Sequence, residues 1–176
     1  MPRGLKRGIL KPNIYFMKHN FKIGDILKRA KGPWSRHYMV YVGKINGIEC
    51  IAENQQGVGV QYLPLLNAQN QGKIIASEKF TGTEYERLLV RSKIDELIGT
   101  NYDLVNFNCE HFARKVTTGK THSKQVETAC LFFFGVGVAG LFASKSPGLR
   151  TLAGLLVLIA IIVAITQPKE VSKTIV

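Results

Sequence analysis

The sequence predicts an α+β domain, an antiparallel sheet packed on helices, followed by a C-terminal hydrophobic helical hairpin. Three observations carry that expectation. Over residues 21–80, short apolar and β-branched runs alternate with glycine-containing turns, as in an antiparallel meander. After Thr81-Gly82 the apolar spacing changes to three or four residues, which is helical. Further on, two long stretches, 128–144 and 151–168, carry no charge at all.

Each element has its own local reason. Residues 1–20 are basic and broken by Pro2, Gly4, Gly8 and Pro12, which predicts a weakly ordered arm. Residues 21–29 alternate apolar and charged side chains around Gly24-Asp25 and predict a first strand with a kink or bulge. After the loop 31–36, which contains Trp34, residues 37–43 read as an aromatic and β-branched strand stopped by Gly43. A turn over 44–47 leads to a strand over 48–53, and Gly57 and Gly59 turn the chain into another over 58–63. Residues 65–72 form a helical turn or loop, and 73–80 the last strand. A helix over 83–98 places Tyr85, Leu88, Leu89, Ile94, Leu97 and Ile98 roughly on one face. Thr83 with Glu86 three residues on is a capping box, and Gly99 suits the helix end. Asn108 caps a further helix that begins at Cys109 and runs to 117 or 118, before Gly119.

Charge and cysteine content exclude several classes. The chain carries a net charge of +12, and residues 1–44 hold 11 basic side chains against Asp25 alone. Such a surface suits nucleic acid or an anionic membrane. No aromatic-spaced RNA-binding pattern or zinc-finger spacing accompanies it, so no nucleic-acid partner is expected. Cys50, Cys109 and Cys130 are an odd number without CxxC spacing, which excludes a disulfide framework and a metal knuckle. Free thiols in a reducing compartment fit them. The N-terminus has no apolar core of a signal peptide. No phosphate-cradling loop or paired-carboxylate site is present, so no metal or cofactor is expected.

The charge-free stretches approach the roughly 20 residues a spanning helix needs. The second has no polar face, so a surface helix is ruled out. Membrane helices fit better than two helices buried in an oligomer, because so small a domain has little core to cover them. Small residues over 135–140 let the pair pack closely. Lys120, Lys124, Lys169 and Lys173 flank one end of the hairpin, against Lys145 and Arg150 at the other. The larger positive count places the domain on the cytosolic side. The expected organisation is an arm over 1–20, a domain over 21–126, two hydrophobic membrane helices over 127–168 and a polar tail over 169–176. The oligomeric state is left open.

The chemistry centres on Asn108-Cys109-Glu110-His111-Phe112. A thiol directly after a helix N-cap meets the positive end of the helix dipole, a setting that favours the thiolate. Its base must be one of four histidines. His19 lies in the arm and His122 in the loop before the hairpin, both solvated. His111, two residues along the same helix, points away and suits a packing or hydrogen-bonding role. His37, at the start of a strand, is the candidate general base.

His37-Tyr-Met-Val-Tyr-Val-Gly43 followed by Asn108-Cys109-Glu110-His111-Phe112 resembles the lecithin:retinol acyltransferase-like family, within the wider NlpC-type thiol enzymes. Gly24-Asp25, Gly119 and Ser123-Lys124-Gln125-Val126 add to the likeness, which covers 21–126. The resemblance implies a permuted papain-like domain, with a strand histidine before a helix cysteine. It makes Cys109 the nucleophile and His37 the base and later the acid. The family's third polar residue, often a histidine, lies on the next strand, where this chain has Ile51-Ala52-Glu53-Asn54. Glu53 is assigned that role, with Asn54 as its alternative; on a strand only one of the two faces the site. The oxyanion is expected at the Cys109 backbone N–H and a second donor the sequence does not name, Tyr38 being better suited to packing.

Together these features predict a membrane-anchored thiol acyltransferase or phospholipase A-type hydrolase, with a phospholipid or another acyl lipid as its partner. Two alternatives stand beside it, a thiol peptidase or amidase and a non-catalytic membrane-interaction protein that keeps the fold.

Overall fold

A computed structural model of the chain describes residues 20–32, 35–121 and 123–166. The expectations for the basic arm, His19, Trp34, His122, Lys169, Lys173 and the polar tail lie outside the described residues. Five strands, β1 (Ile26–Ala30), β2 (Arg36–Ile45), β3 (Ile48–Gln55), β4 (Gly59–Pro64) and β5 (Ile74–Glu78), form one antiparallel sheet in the order β4-β3-β2-β1-β5. Helix α1 (Leu65–Asn70) interrupts β4 and β5, and α2 (Glu84–Asp95) and α3 (Cys109–Thr118) follow. The chain continues into α4 (Lys124–Ala143) and α5 (Pro147–Thr166). The architecture is the α+β domain with a C-terminal apolar hairpin that the residue pattern predicts.

Alternation along β2 divides the core. Tyr38, Val40 and Val42 join Ala52 and Val60 beneath α2 and α3, where Val90, Ile94, Phe112 and Val116 are buried. Met39 and Tyr41 face the other way, with Leu27 and Ile51, against Leu65 and Ala68 of α1. That parity puts His37 on the same face as Met39, and Glu53 with it, since Glu53 pairs opposite Met39.

The first strand begins later than alternation predicts, at Ile26 rather than Phe21. Gly24 takes φ +88°, and the buried Asp25 carboxylate accepts from the N–H groups of Lys22 and Phe80 and from Lys79 Nζ. Those bonds fold 22–25 into a turn in place of a continued strand, with only the Gly24 N–H and the Asp25 carbonyl still bonded to the Tyr41 backbone. A Cβ at Gly24 would lie 2.8 Å from the Phe80 ring, so the turn admits no side chain there. Helix α2 likewise ends at Asp95, and the predicted last turn to Ile98 tightens into shorter backbone bonds, Leu97 N to Ile94 O and Ile98 N to Asp95 O. Its capping box, Thr83 with Glu86, is present.

Helices α4 and α5 are 20 residues each, with mean hydropathy 1.9 and 2.5. At ~1.5 Å rise per residue each is about 30 Å long, the thickness of a bilayer's hydrocarbon core. Their mutual contact is close. A Cβ at Gly137 would lie 2.7 Å from Val157 Cγ2 and 2.9 Å from the Ala153 carbonyl oxygen, so glycine is what allows the approach. Outward, Phe132, Phe134, Phe142, Leu155, Leu158 and Ile162 leave a broad apolar surface exposed.

Candidate active site

Cys109 is the first residue of α3, and its placement is set by the Asn108 cap. Asn108 Oδ1 accepts from Glu110 N–H (2.9 Å) and His111 N–H (3.1 Å), while its Nδ2 donates to the Leu104 carbonyl (3.0 Å) and Ser123 Oγ (3.3 Å). His111 Nδ1 in turn accepts from the Asn108 N–H, closing the box, so His111 serves the cap and is fully buried. Cys109 itself is buried, with its Sγ 3.9 Å from the Arg36 carbonyl oxygen, one residue before His37.

The histidine and the carboxylate meet. His37 Nε2 lies 2.8 Å from Glu53 Oε2 with both side chains buried, and Gln61 Nε2 donates to the other Glu53 oxygen at 3.1 Å. With Nε2 engaged, Nδ1 is the ring nitrogen left toward the thiol. Burial alone would lower the His37 pKa, but the interactions with Cys109 and Glu53 outweigh it and raise it above 6.5. For Glu53, burial pushes upward and is overcome by the bonds from His37 and Gln61, leaving the carboxyl below its ordinary range. The two directions agree: the pair favours imidazolium and carboxylate.

Asn54, the alternative to Glu53, faces the opposite side of β3. Its Nδ2 donates to the Phe107 carbonyl at 2.6 Å and so ties the strand to the loop that delivers Cys109. Tyr38 packs on the helix side of the sheet, away from His37.

The first turn of α4 is fastened to both α3 and the start of β2. Glu110 is fully buried and accepts from Ser123 Oγ (3.0 Å), the Gln125 N–H (3.1 Å) and Arg114 (3.0 Å). Burial would raise its pKa, but these bonds, with that from Gln125 N–H foremost, lower it. Gln125 Oε1 accepts from the Arg36 N–H at 3.0 Å. The start of the hairpin is therefore pinned beside Cys109 through Glu110 and beside His37 through Arg36.

A cleft of about 620 Å³ opens between the domain and the hairpin, with Cys109, Asn108, Tyr102, Arg36 and Gln125 at one end. Ala129, Cys130 and Phe133 of α4 and Ile159, Ala160 and Val163 of α5 continue its wall. Tyr102 is pushed up to about 12 by burial and by the charge of the nearby Cys109, so it stands as a hydroxyl donor. Sequence reasoning missed Tyr102 and the use of Gln125. No local pattern marks Tyr102; the run 123–126 stood out, without showing that it would fold back onto Arg36. Among the described residues, no group of three or more His, Cys, Asp or Glu is placed to hold a metal ion.

A helix-start thiol on the wall of an apolar cleft, with a strand imidazole hydrogen-bonded to a buried carboxylate, makes up the kind of site found in thiol enzymes. The family model for lecithin retinol acyltransferase matches residues 19–122, more than half of the sequence, and the chain belongs to that family. Membership supports acyltransferase-type thiol chemistry as the general class of activity. Comparisons with curated proteins and with solved structures each gave no match. The match ends before α4, so the hairpin lies outside it.

Proposed function

We propose that the protein is a membrane-anchored thiol acyltransferase or phospholipase A-type hydrolase that draws an acyl group from a lipid ester. The observation that carries this reading is the apolar cleft running from Cys109 onto the hairpin. A water-soluble peptide gains nothing from such a wall, whereas an acyl ester does.

In this reading 21–126 is the catalytic domain, permuted papain-like in its histidine-before-cysteine order, and 127–168 crosses the bilayer as a hairpin. Cys109 Sγ attacks the ester carbonyl. The backbone N–H of Cys109, with the Tyr102 hydroxyl and the Gln125 amide on the same cleft wall, meets the oxyanion. His37, carrying the thiol's proton, gives it to the leaving alkoxide as the tetrahedral intermediate collapses to a thioester. Glu53 holds the ring and stabilises imidazolium throughout. Water, an amine or an alcohol then takes the acyl group, with His37 as base. The apolar exterior of α4 and α5 supports a site held at the membrane surface, where a barely soluble donor is concentrated, and in this reading the domain faces the cytosol.

The test is lipid-acyl turnover by purified full-length protein in phospholipid vesicles. Wild type releases or transfers acyl chains, and Cys109→Ala does not. Undiminished turnover by Cys109→Ala contradicts the reading.

A further inference from the structure

We infer that the groove between α4 and α5 is the acyl-chain subsite of the Cys109 centre, so that the hairpin selects the chain as well as anchoring the domain. The inference rests on the acyl-transfer reading above and adds to it where the chain lies and what discriminates its length.

The wall residues fall at helical spacing. On α4 the cleft is lined at 126, 129–130 and 133, and on α5 at 156, 159–160 and 163. These lie on one face of each helix, the side that borders the cleft, where Ala160 is buried while Phe133 and Ile159 stay partly open; Phe132 and Phe134, between and beyond them, are absent from the wall. From 126 to 133 the groove follows about 10 Å of α4 at ~1.5 Å per residue. Every hairpin side chain on that wall beyond Gln125 is apolar or a thiol.

Charge fixes the direction. The only charged side chains among the cleft residues are Lys31 and Arg36, both from the domain end. A lipid whose anionic headgroup stays by these cations puts its ester over Cys109 and its chain along the hairpin. The reverse orientation would bury the headgroup among Phe133, Ile159 and Val163 and leave it without a partner. The pins at Ser123 and Gln125 then matter for register: they hold the start of the groove at a fixed place beside the thiol. Because both helices follow the last matched residue, 122, this wall belongs to the part of the chain outside the family match.

The experiment compares p-nitrophenyl acetate, octanoate and palmitate with full-length protein in one detergent, reading kcat/KM and the acyl mass on Cys109. Wild type should prefer octanoate to acetate by at least about tenfold, equivalent to burying about two methylenes at ~0.8 kcal/mol each. Ala129→Phe, which adds bulk to an exposed stretch of the wall, should reduce the octanoate-to-acetate ratio by about tenfold. Leu131→Phe, on the lipid-facing side, should leave the ratio unchanged. Equal wild-type rates across chain lengths, or an Ala129→Phe ratio like that of wild type, would overturn the groove while leaving thiol catalysis standing. Failure of every ester, acetate included, to acylate Cys109 would instead remove the acyl-transfer reading and the groove with it.

Discussion

The buried pair of His37 and Glu53 makes this site pH-sensitive in a definite direction. His37 binds its proton more tightly in the folded chain than its ordinary value of 6.5, so its contribution to stability is full below about pH 6.5 and is lost as pH rises through the raised value. Glu53 lies below its ordinary 4.5, so its contribution is full above about pH 4.5 and is lost as pH falls through the lowered value. The stability difference between wild type and the double variant His37→Gln/Glu53→Gln should therefore peak between about pH 4.5 and 6.5. Denaturant midpoints across a pH series measure it, and a difference growing steadily into alkaline pH would contradict the pairing. Glu53→Gln alone keeps an oxygen for the ring but removes the charge, so the alkaline limb of the pH–rate profile should move to lower pH. For the oxyanion, Tyr102→Phe should lower kcat by about 10–100-fold with KM little changed, somewhat below the ~10²–10³ of a dominant donor because a second donor is present. A fall confined to KM would make Tyr102 a substrate contact instead.

At the scale of elements, the helices and strands follow from local pattern wherever the pattern is self-sufficient. Alternation located β2 and β3, the Thr83/Glu86 box located the start of α2, and Asn108 located that of α3. The beginning of β1 was not legible, because what ends the ladder at Ile26 is a carboxylate satisfied by Phe80 and Lys79, more than 50 residues away. The same limit applies to the site. Cys109 and His37 could be singled out from residue type and resemblance, and β-strand parity says that Glu53 and Asn54 cannot both face His37. Which of them does depends on register, and the register that puts Glu53 opposite Met39 is tertiary. The cleft was beyond sequence reading altogether, since it exists only where α4 folds back through Ser123 and Gln125. The hairpin seam offers a direct check on packing. Gly137→Leu must push apart helices already in contact and should lower thermal stability in detergent by about 1–3 kcal/mol, the usual cost of overpacking. Gly135→Leu, with nothing within 4 Å of its added Cβ, should be close to neutral.

Across the whole molecule, a small sheet domain and a long apolar hairpin are joined beside Cys109. In a tethered enzyme the anchor and the site are separable, whereas here Glu110 binds the first turn of α4 directly beside Cys109. If the hairpin spans a bilayer as proposed, its movement there should reach the thiol and Arg36 together. Topology is testable at the link between the helices. A Lys145→Cys variant should react with a membrane-impermeant maleimide only from the side opposite the domain, and labelling from the domain's own side would rule out a spanning hairpin.

The central claim is that Cys109 carries an acyl group taken from lipid. Rapidly quenched full-length protein, incubated with mixed phospholipids, should show by intact mass spectrometry a fatty-acyl increment that hydroxylamine removes and that maps to Cys109. The increment should be absent from Cys109→Ala. No adduct with any phospholipid, or the same adduct on Cys109→Ala, would contradict the account.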